Sequence, residues 1–247
     1  MSSSTETKSF AIRANLWMLA FTRNWLRVVL TVLAIYVTLP FAAPTLMELG
    51  IEGPGRFIYR MYTPFCHQAV FRSFFLYGEQ AVYPRESTGT SLTPFEDYAR
   101  ELEHFDGVSL EGLDLDLLNA ARSFLGNEEM GYKLTLCERD IFIYIALLTG
   151  GFIYAVPFVR RRLRPVPLWL YVFLGLGPIG LDGFSQLLGY PPFNFWPPRE
   201  TLPVFRVVTG ALFGFMNAWL AFPYLESAMF DTRLQIEEKL RRAGIIA

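Results

Sequence analysis

Apolar residues form four long runs along the chain, at residues 25–49, 141–159, 168–190 and 205–225. A helix needs roughly 20 such residues to cross a hydrocarbon core of about 30 Å. The pattern therefore predicts four membrane-spanning helices. The first run is too long for the apolar part of a signal peptide, so we expect a retained anchor. It contains Pro40 and Pro44, which membrane helices tolerate when neighbouring groups satisfy the freed carbonyls.

The connections between the runs predict the orientation. The proline-rich segment 191–198 cannot continue a helix and separates the last two runs. Short basic segments stay on the cytoplasmic side of a membrane. We therefore predict a multi-pass protein of the inner (cytoplasmic) membrane with both termini in the cytoplasm. The basic residues that support this orientation are Lys8, Arg13, Arg23, Arg27, Arg160, Arg161, Arg162, Arg164, Arg233, Lys239, Arg241 and Arg242.

Residues 50–140 are mixed in character and fall outside the membrane in this orientation. Residues 57–77 are aromatic and basic, which is typical of a helix in the membrane interface. Thr93 as a cap, followed by Pro94 and acidic residues, predicts one helix start, and residues 113–124 predict a second short helix. We expect no second hydrophobic core large enough for a separate domain here. The acidic surface of this segment indicates a solvated cap.

The predicted fold class is all-α: an integral membrane four-helix bundle with an interfacial and extracytoplasmic helical insert. Residues 1–49 form the cytoplasmic N-terminus and first span, 50–140 the insert, 141–225 three spans and 226–247 a cytoplasmic tail. The composition agrees with a membrane protein that is partly in water, because 52% of residues are hydrophobic while 18% are charged. The net charge of -1 gives no indication of a nucleic-acid partner.

The two cysteines stand in short polar strings, Cys66-His67-Gln68 and Cys137-Glu138-Arg139-Asp140. A helix that begins near Leu136 would place Cys137, Asp140 and Tyr144 on one face. Polar residues of other segments fall at the same outer boundary, so we predict a single polar site there. These residues are Arg72, Asp182, Gln186, Glu200 and Arg206. Thr209, Gly210, Gly214 and Asn217 form a small polar seam that would let helices approach closely.

Three kinds of chemistry fit this site. Cys66, His67 and Cys137, with Asp140 or Asp182 as a fourth ligand, would suit zinc, although adjacent helical positions point about 100° apart. Alternatively, Cys66 and Cys137 form a disulfide on an oxidising face of the membrane. The cofactor is therefore open, with zinc as the candidate.

The third hypothesis is catalysis by Asp182, His67 and Glu200 on an anionic or lipid-linked ligand. Arginine forks bind phosphate in a bidentate manner, and the predicted ligand-binding residues are Gln68, Arg72, Arg139, Gln186 and Arg206. The structural alternative is that acids and arginines at helix ends pair to hold the bundle together. The sequence contains no Gly-rich phosphate loop, nucleophile elbow or His-Glu-x-x-His string.

Two classes of function follow, and whether the protein is an enzyme is open. The first is a small membrane enzyme or a protein that binds a ligand or a metal ion. The second is an accessory or structural subunit of a larger membrane complex. Membrane lipid is the expected partner in both, and a protein complex or a homo-oligomer would dock through the aromatic interfacial segment and the tail 230–247.

Four motifs resemble those of an uncharacterised family of predicted bacterial and archaeal membrane proteins. The resemblance extends from about Tyr59 to Pro223 and implies a membrane location but no activity. Shorter members have a second cysteine where this chain has Asp140, and the segment between Phe75 and Lys133 is an elaboration. The motifs are Pro64 to Gln68 with Arg72-Ser73-Phe74, Cys137 to Asp140, Asp182 to Gln186, and Arg199 to Gly210.

Overall fold

The computed structural model describes residues 2–190, 192–197 and 199–246. The protein is mostly helical, and three helices in the described part are long and apolar enough to cross a membrane. They comprise Phe10–Glu48 within helix α1 (Ser2–Glu48), Leu168–Leu187 (α7) and Pro203–Arg242 (α8). Tyr171–Leu176 of α7 is π-helical.

Helix α5 (Glu138–Ala155) coincides with the second predicted span. Its first turn carries three charged residues, and it is not one of the three helices above. Val156 ends α5 in an extended conformation, and the short basic helix α6 (Pro157–Arg162) follows.

Two helices continue well past the predicted membrane boundaries. The first begins at Ser2 rather than near residue 25, and both of its prolines lie inside the helix. Helix α8 continues through Pro223 to Arg242, so the predicted tail extends the fourth span without a break. Hydrophobicity reports where a chain meets lipid, but a helix can continue into water where its residues have adequate helix propensity.

The all-α prediction is wrong in the insert, which contains a three-stranded antiparallel sheet. Its strands are β1 (Ser73–Leu76), β2 (Gly126–Asn127) and β3 (Gly131–Cys137), in the order β1-β3-β2. Ser73 pairs with Cys137 and Phe75 pairs with Lys133. Tyrosine and threonine among the leucines of β3 favour a strand, and the strand is buried from Leu134 to Leu136.

The insert has a hydrophobic core of its own, which the sequence pattern did not predict. Aromatic residues from separated segments supply it: the Phe95 ring packs 5.6 Å from Phe71 and 5.2 Å from Phe105, measured between centroids. Helices α3 (Phe95–Ala99) and α4 (Leu115–Ser123) cover this core. Because its residues are dispersed over about 60 positions in sequence, they form no apolar run from which the core could be predicted.

The helix starts of the insert agree only in part with the sequence pattern. Helix α4 lies within the predicted residues 113–124, and Asp114 caps it by accepting from the Leu117 N–H at 2.8 Å. Helix α3 follows the predicted Thr93-Pro94 signal, but Pro94 occupies the cap position without a side-chain bond. Helix α2 (Glu52–Tyr62) replaces the longer helix expected over 57–77. Thr63 still has helical φ and ψ, but Pro64 has no N–H with which to continue the helical hydrogen bonds.

The predicted glycine seam of α8 brings two helix backbones together. A Cβ atom on Gly210 would lie 2.5 Å from the carbonyl oxygen of Arg139, and one on Gly214 would overlap the carbonyl oxygen of Ile143. Further along α5, Gly150 faces Ala218 in the same way. This close packing fixes the charged first turn of α5 against α8, and thereby positions one wall of the candidate site.

Candidate functional site

The loop after α2 presents its cysteine sulfur to two backbone donors. Gln68 adopts a left-handed conformation (φ 54°), and its N–H points back at the Cys66 Sγ at 3.4 Å. The Cys137 N–H donates to the same sulfur at 3.2 Å. Non-glycine residues adopt positive φ infrequently. Here that conformation allows the Cys-His-Gln string to fold around its own sulfur.

A buried lysine holds this loop in place. The Lys133 Nζ donates to the carbonyl oxygens of Gln68 at 2.6 Å, Arg122 at 2.8 Å and Ala121 at 3.0 Å. The three N–H donors of an ammonium group therefore all have acceptors. Burial lowers the pKa of Lys133 to about 7, although the nearby Cys66 acts in the opposite direction. Sequence reasoning missed this residue, whose only signal is one lysine inside a strand-like apolar pattern.

The junction between β3 and α5 supplies the second half of the site. Cys137 is the last residue of β3 and directly precedes α5, so the predicted helix start near Leu136 is wrong by two residues. The Cys137 thiol nevertheless donates to the Asp140 Oδ2 at 3.1 Å, so the two side chains lie close together, as the sequence predicts. Hydrogen bonding to Cys66, burial and the Asp140 carboxylate raise the pKa of Cys137 well above its usual value.

Three ligand-type atoms meet at this junction. The sulfur atoms of Cys66 and Cys137 and a carboxylate oxygen of Asp140 all lie within 4.8 Å of one another. Both cysteines are free thiols. Sulfur ligands of tetrahedral zinc lie about 3.8 Å apart, given Zn–S bonds of about 2.3 Å. The separations of the three atoms are therefore compatible with three of the four ligands of a zinc site.

A chain of buried ion pairs lies beside the cysteines. The Glu200 carboxylate accepts from Arg72 and from Arg206, each at 2.5 Å, and the Tyr190 hydroxyl donates to it at 2.8 Å. Burial alone would raise the pKa of Glu200, but the two guanidinium groups outweigh it and lower that pKa. For Arg72, burial would lower the pKa, and the Glu200 carboxylate outweighs this effect and raises it.

Glu138 extends the chain and was not among the predicted site residues. It is fully buried and accepts from the Arg206 Nη1 at 3.2 Å. Burial raises the pKa of Glu138 more than Arg206 lowers it. Its second carboxylate oxygen has no hydrogen-bond partner within the described ranges. The sequence feature that could have identified Glu138 as a site residue is its position immediately after Cys137.

Asp182 of α7 is the centre of a second cluster of polar side chains. It pairs with Arg139, accepts from the Thr201 hydroxyl at 2.6 Å and lies 3.5 Å from Arg199. One turn further, Gln186 is buried. Two of the residues predicted to be catalytic, Asp182 and Glu200, are thus held in ion pairs between segments. For both carboxylates, this geometry fits the alternative in which acids and arginines at helix ends pair to hold the bundle together.

One cavity of about 350 Å³ connects these groups. Every predicted site residue except Asp182 and Glu200 lines it, and those two carboxylates hold its arginines. His67 is exposed at this cavity and is not one of the three clustered ligands. The structure therefore brings the predicted residues together, while their chemical roles stay predictions. The lining residues among them are Cys66, His67, Gln68, Arg72, Cys137, Arg139, Asp140, Gln186 and Arg206.

The long apolar helices define a membrane protein of unknown function, and comparisons with known proteins agree. Residues 119–220 match the family described as Predicted membrane protein (DUF2085). An uncharacterized protein of Methanocaldococcus jannaschii is 31% identical over 94 residues, which make up 38% of this chain and 54% of that relative. The chain thus spans about half the length of this curated relative. No solved structure matches the chain.

The predicted resemblance to an uncharacterised family of membrane proteins is therefore confirmed over residues 119–220. This segment contains Cys137, Asp140, Asp182, Glu200 and Arg206. The Cys66-His67-Gln68 string precedes it, so the cysteine pair joins the matched segment to a part of the chain outside the match.

Proposed function

We propose that this protein is a multi-pass membrane protein that binds a zinc-class metal ion through Cys66, Cys137 and Asp140. The observation that carries the proposal is the separation of their ligand atoms, all within 4.8 Å of one another. Two sulfur ligands and one carboxylate suit zinc, which accepts sulfur, nitrogen and oxygen donors in tetrahedral geometry. The ligands come from two separate segments, so the ion would also fasten the loop after α2 to the start of α5.

The surroundings of Cys66 support its role as a metal ligand. Metal ions bind cysteine through its sulfur, and outer-shell hydrogen bonds orient the ligands of a metal ion. The sulfur of Cys66 receives such bonds from the backbone N–H groups of Gln68 and Cys137. Both donors belong to the backbone and therefore remain in place whichever ligand occupies the cavity.

Three protein ligands leave the fourth coordination position open towards the cavity. Zinc sites with three protein ligands are typical of enzymes, in which water or substrate occupies the fourth position. His67 offers an imidazole ligand at the same cavity, where its side chain is exposed. The cavity is also nearly balanced in charge, since Arg72, Arg139 and Arg206 all pair with carboxylates. This balance favours a metal ion or a small polar ligand over a strongly anionic one.

The proposal includes α5 as a fourth membrane span, with the cysteine site on the outer face. Helix α5 packs along both α1 and α8: Gly151 contacts Leu30, and Gly150 contacts Ala218. At the opposite end, Arg160 pairs with Glu226 at 2.6 Å among many basic residues, which supports a cytoplasmic location for that end. Residues 50–140 would then form the extracytoplasmic insert, and both termini would be cytoplasmic.

A disulfide between Cys66 and Cys137 is a second candidate, because their sulfur atoms are among the atoms that lie within 4.8 Å of one another. Its formation would remove both thiolates from the metal site. Alkylation of the protein before and after reduction, followed by mass spectrometry, separates the two. Two labels before reduction support the metal site, whereas labels that appear only after reduction contradict it as the resting state.

Cobalt substitution tests the ligand set directly. Full-length protein in detergent, loaded with Co²⁺, should show the sulfur-to-metal charge-transfer bands of a thiolate site. Cys66→Ser and Cys137→Ser should each weaken these bands, and Asp140→Asn should alter the spectrum and weaken binding. Asp106→Asn is the matched control, because Asp106 is an exposed carboxylate of the insert. Identical spectra in wild type and both cysteine variants would refute the proposed site.

A further inference from the structure

A second cavity, of about 370 Å³, lies between α2 and α4 and shares Gln68 with the cavity beside the cysteine pair. Three arginines from these two helices converge on it: Arg56 and Arg60 from α2, and Arg122 from α4. Asn119 and Ser123 add polar groups on the α4 side. No carboxylate is present among the described residues that line it. The cavity is therefore a concentration of positive charge with additional hydrogen-bonding groups.

The arginines retain donors for a ligand. Arg56 pairs with Glu52 at 3.1 Å, but both side chains are more than half exposed, and such surface pairs contribute little. Arg122 uses Nη2 to donate to the Thr63 carbonyl at 2.8 Å, which positions its guanidinium at the cavity. Behind the wall, the Lys133 Nζ donates to the Arg122 carbonyl and holds this residue of α4 in place. The local charge thus resembles that of a phosphate site.

The position of α2 relates this cavity to the membrane. Helix α2 begins four residues after the end of the membrane-spanning helix α1 and folds back against it. Gly55 packs on Met47, and the Tyr62 hydroxyl donates to the Tyr36 carbonyl at 2.5 Å. The cavity therefore lies beside the part of the membrane-spanning helix α1 that runs from Tyr36 to its end.

The outer surface of α2 carries apolar side chains next to its arginines. Phe57 is 62% exposed and Met61 is 46% exposed. They follow Arg56 and Arg60 directly in sequence, so an apolar stripe and a basic stripe lie side by side on the same helix. This arrangement is typical of helices that contact both acyl chains and anionic head groups.

We propose that this cavity binds the phosphate group of an anionic bilayer phospholipid, with Phe57 and Met61 against its acyl chain. Arg56, Arg60 and Arg122 donate to the phosphate oxygens, for which guanidinium forks are well suited. Inorganic phosphate shares this chemistry but does not use the apolar stripe. The site is independent of the proposed metal site, although Gln68 lines both cavities.

Native mass spectrometry of the full-length protein, mixed with phosphatidylglycerol or phosphatidylcholine in detergent, tests the proposal. The wild type should retain phosphatidylglycerol in preference, and Arg56→Gln/Arg60→Gln should reduce that retention roughly tenfold. Arg100→Gln, a change at an exposed arginine of the insert, should have no effect. Equal retention in wild type and the double variant, or equal retention of the two lipids, would overturn the proposal.

A further pair of measurements distinguishes lipid from free phosphate. Phe57→Ser/Met61→Ser should weaken phosphatidylglycerol binding while leaving the three arginines in place. Inorganic phosphate at millimolar concentration should displace the lipid poorly. Efficient displacement, together with unchanged binding by the serine variant, would contradict a lipid site. Cobalt binding measured on the same samples should stay normal, which keeps this test separate from that of the metal site.

Discussion

The Cys137 backbone N–H donates to the sulfur of Cys66 over 3.2 Å, across 71 positions of sequence. This bond joins the loop after α2 to the junction between β3 and α5. It also aligns the two thiols with Asp140, to which Cys137 donates in turn. The two cysteines therefore form one structural unit, although each stands in a different segment of the fold.

Replacement of Arg206 should strongly destabilise the protein. Its guanidinium is buried and lies between the carboxylates of Glu138 and Glu200. Removal of one partner from a buried ion pair leaves an uncompensated charge and costs about 3–5 kcal/mol. Arg206→Met should therefore lower the thermal unfolding temperature in detergent by many degrees.

Two further variants serve as a control and as a partial rescue for Arg206→Met. Arg100→Met alters an exposed pair of the insert and should change stability little. Adding Glu138→Gln to Arg206→Met should recover part of the loss, because it removes one of the stranded carboxylates. An Arg206→Met protein as stable as wild type would show that the ion-pair chain does not hold these segments together.

Replacement of Lys133 should release the loop that carries Cys66. Lys133→Met removes the donor to three buried carbonyls, at a cost of about 3 kcal/mol. The released loop should expose the thiol, so the rate of Cys66 alkylation by a maleimide should rise. Lys239→Met changes an exposed lysine of α8 and serves as the control. Unchanged alkylation in Lys133→Met would refute the anchoring role.

The same lysine should impose a pH dependence on stability. Its folded pKa of about 7 lies below the ordinary value of 10.5, so between these values the unfolded chain holds a proton that the folded protein lacks. Stability should therefore rise with pH above 7, by about 1 kcal/mol per unit, and this contribution should be constant below 7. Unfolding measured at pH 7, 8 and 9 would reveal the slope. A wild-type slope equal to that of Lys133→Met would contradict this assignment.

Close contact between α5 and α8 should make Gly214 intolerant of larger residues. A Cβ atom there would overlap the Ile143 carbonyl oxygen and press on Ala146. Gly214→Val should separate the helices and lower thermal stability, by about 1–3 kcal/mol or more. Gly53→Ala is a suitable control, since a Cβ atom at Gly53 meets open space. Normal stability of Gly214→Val would show that the seam can open without cost.

The sequence was sufficient for the long apolar helices and for the proximity of the polar residues. Apolar runs mark the membrane segments directly, and a common boundary then places Cys66, Cys137, Asp140 and Arg206 at one level. Which acid pairs with which arginine was harder to predict. Asp182 pairs with Arg139 and Arg206 pairs with Glu200, and these choices depend on helix rotation, which a boundary argument does not specify.

The insert shows why the remaining structure was harder to predict. Its core joins Phe71, Phe95, Phe105 and Leu117, which are separated by polar stretches and form no periodic run. Its sheet depends on pairing between β1 and β3, which are about 60 residues apart in sequence. Lys133 is informative only once three carbonyls surround it, so its role followed from tertiary structure alone.

The metal content of the purified protein tests the central claim most directly. Full-length protein, prepared under reducing conditions from zinc-replete cells, is analysed by elemental mass spectrometry beside Cys66→Ser/Cys137→Ser and Asp106→Asn. We predict about one zinc ion per chain in wild type and in Asp106→Asn, and almost none in the double cysteine variant. Wild-type protein that has both thiols free but contains no metal, or a double variant with the same metal content as wild type, would contradict the account.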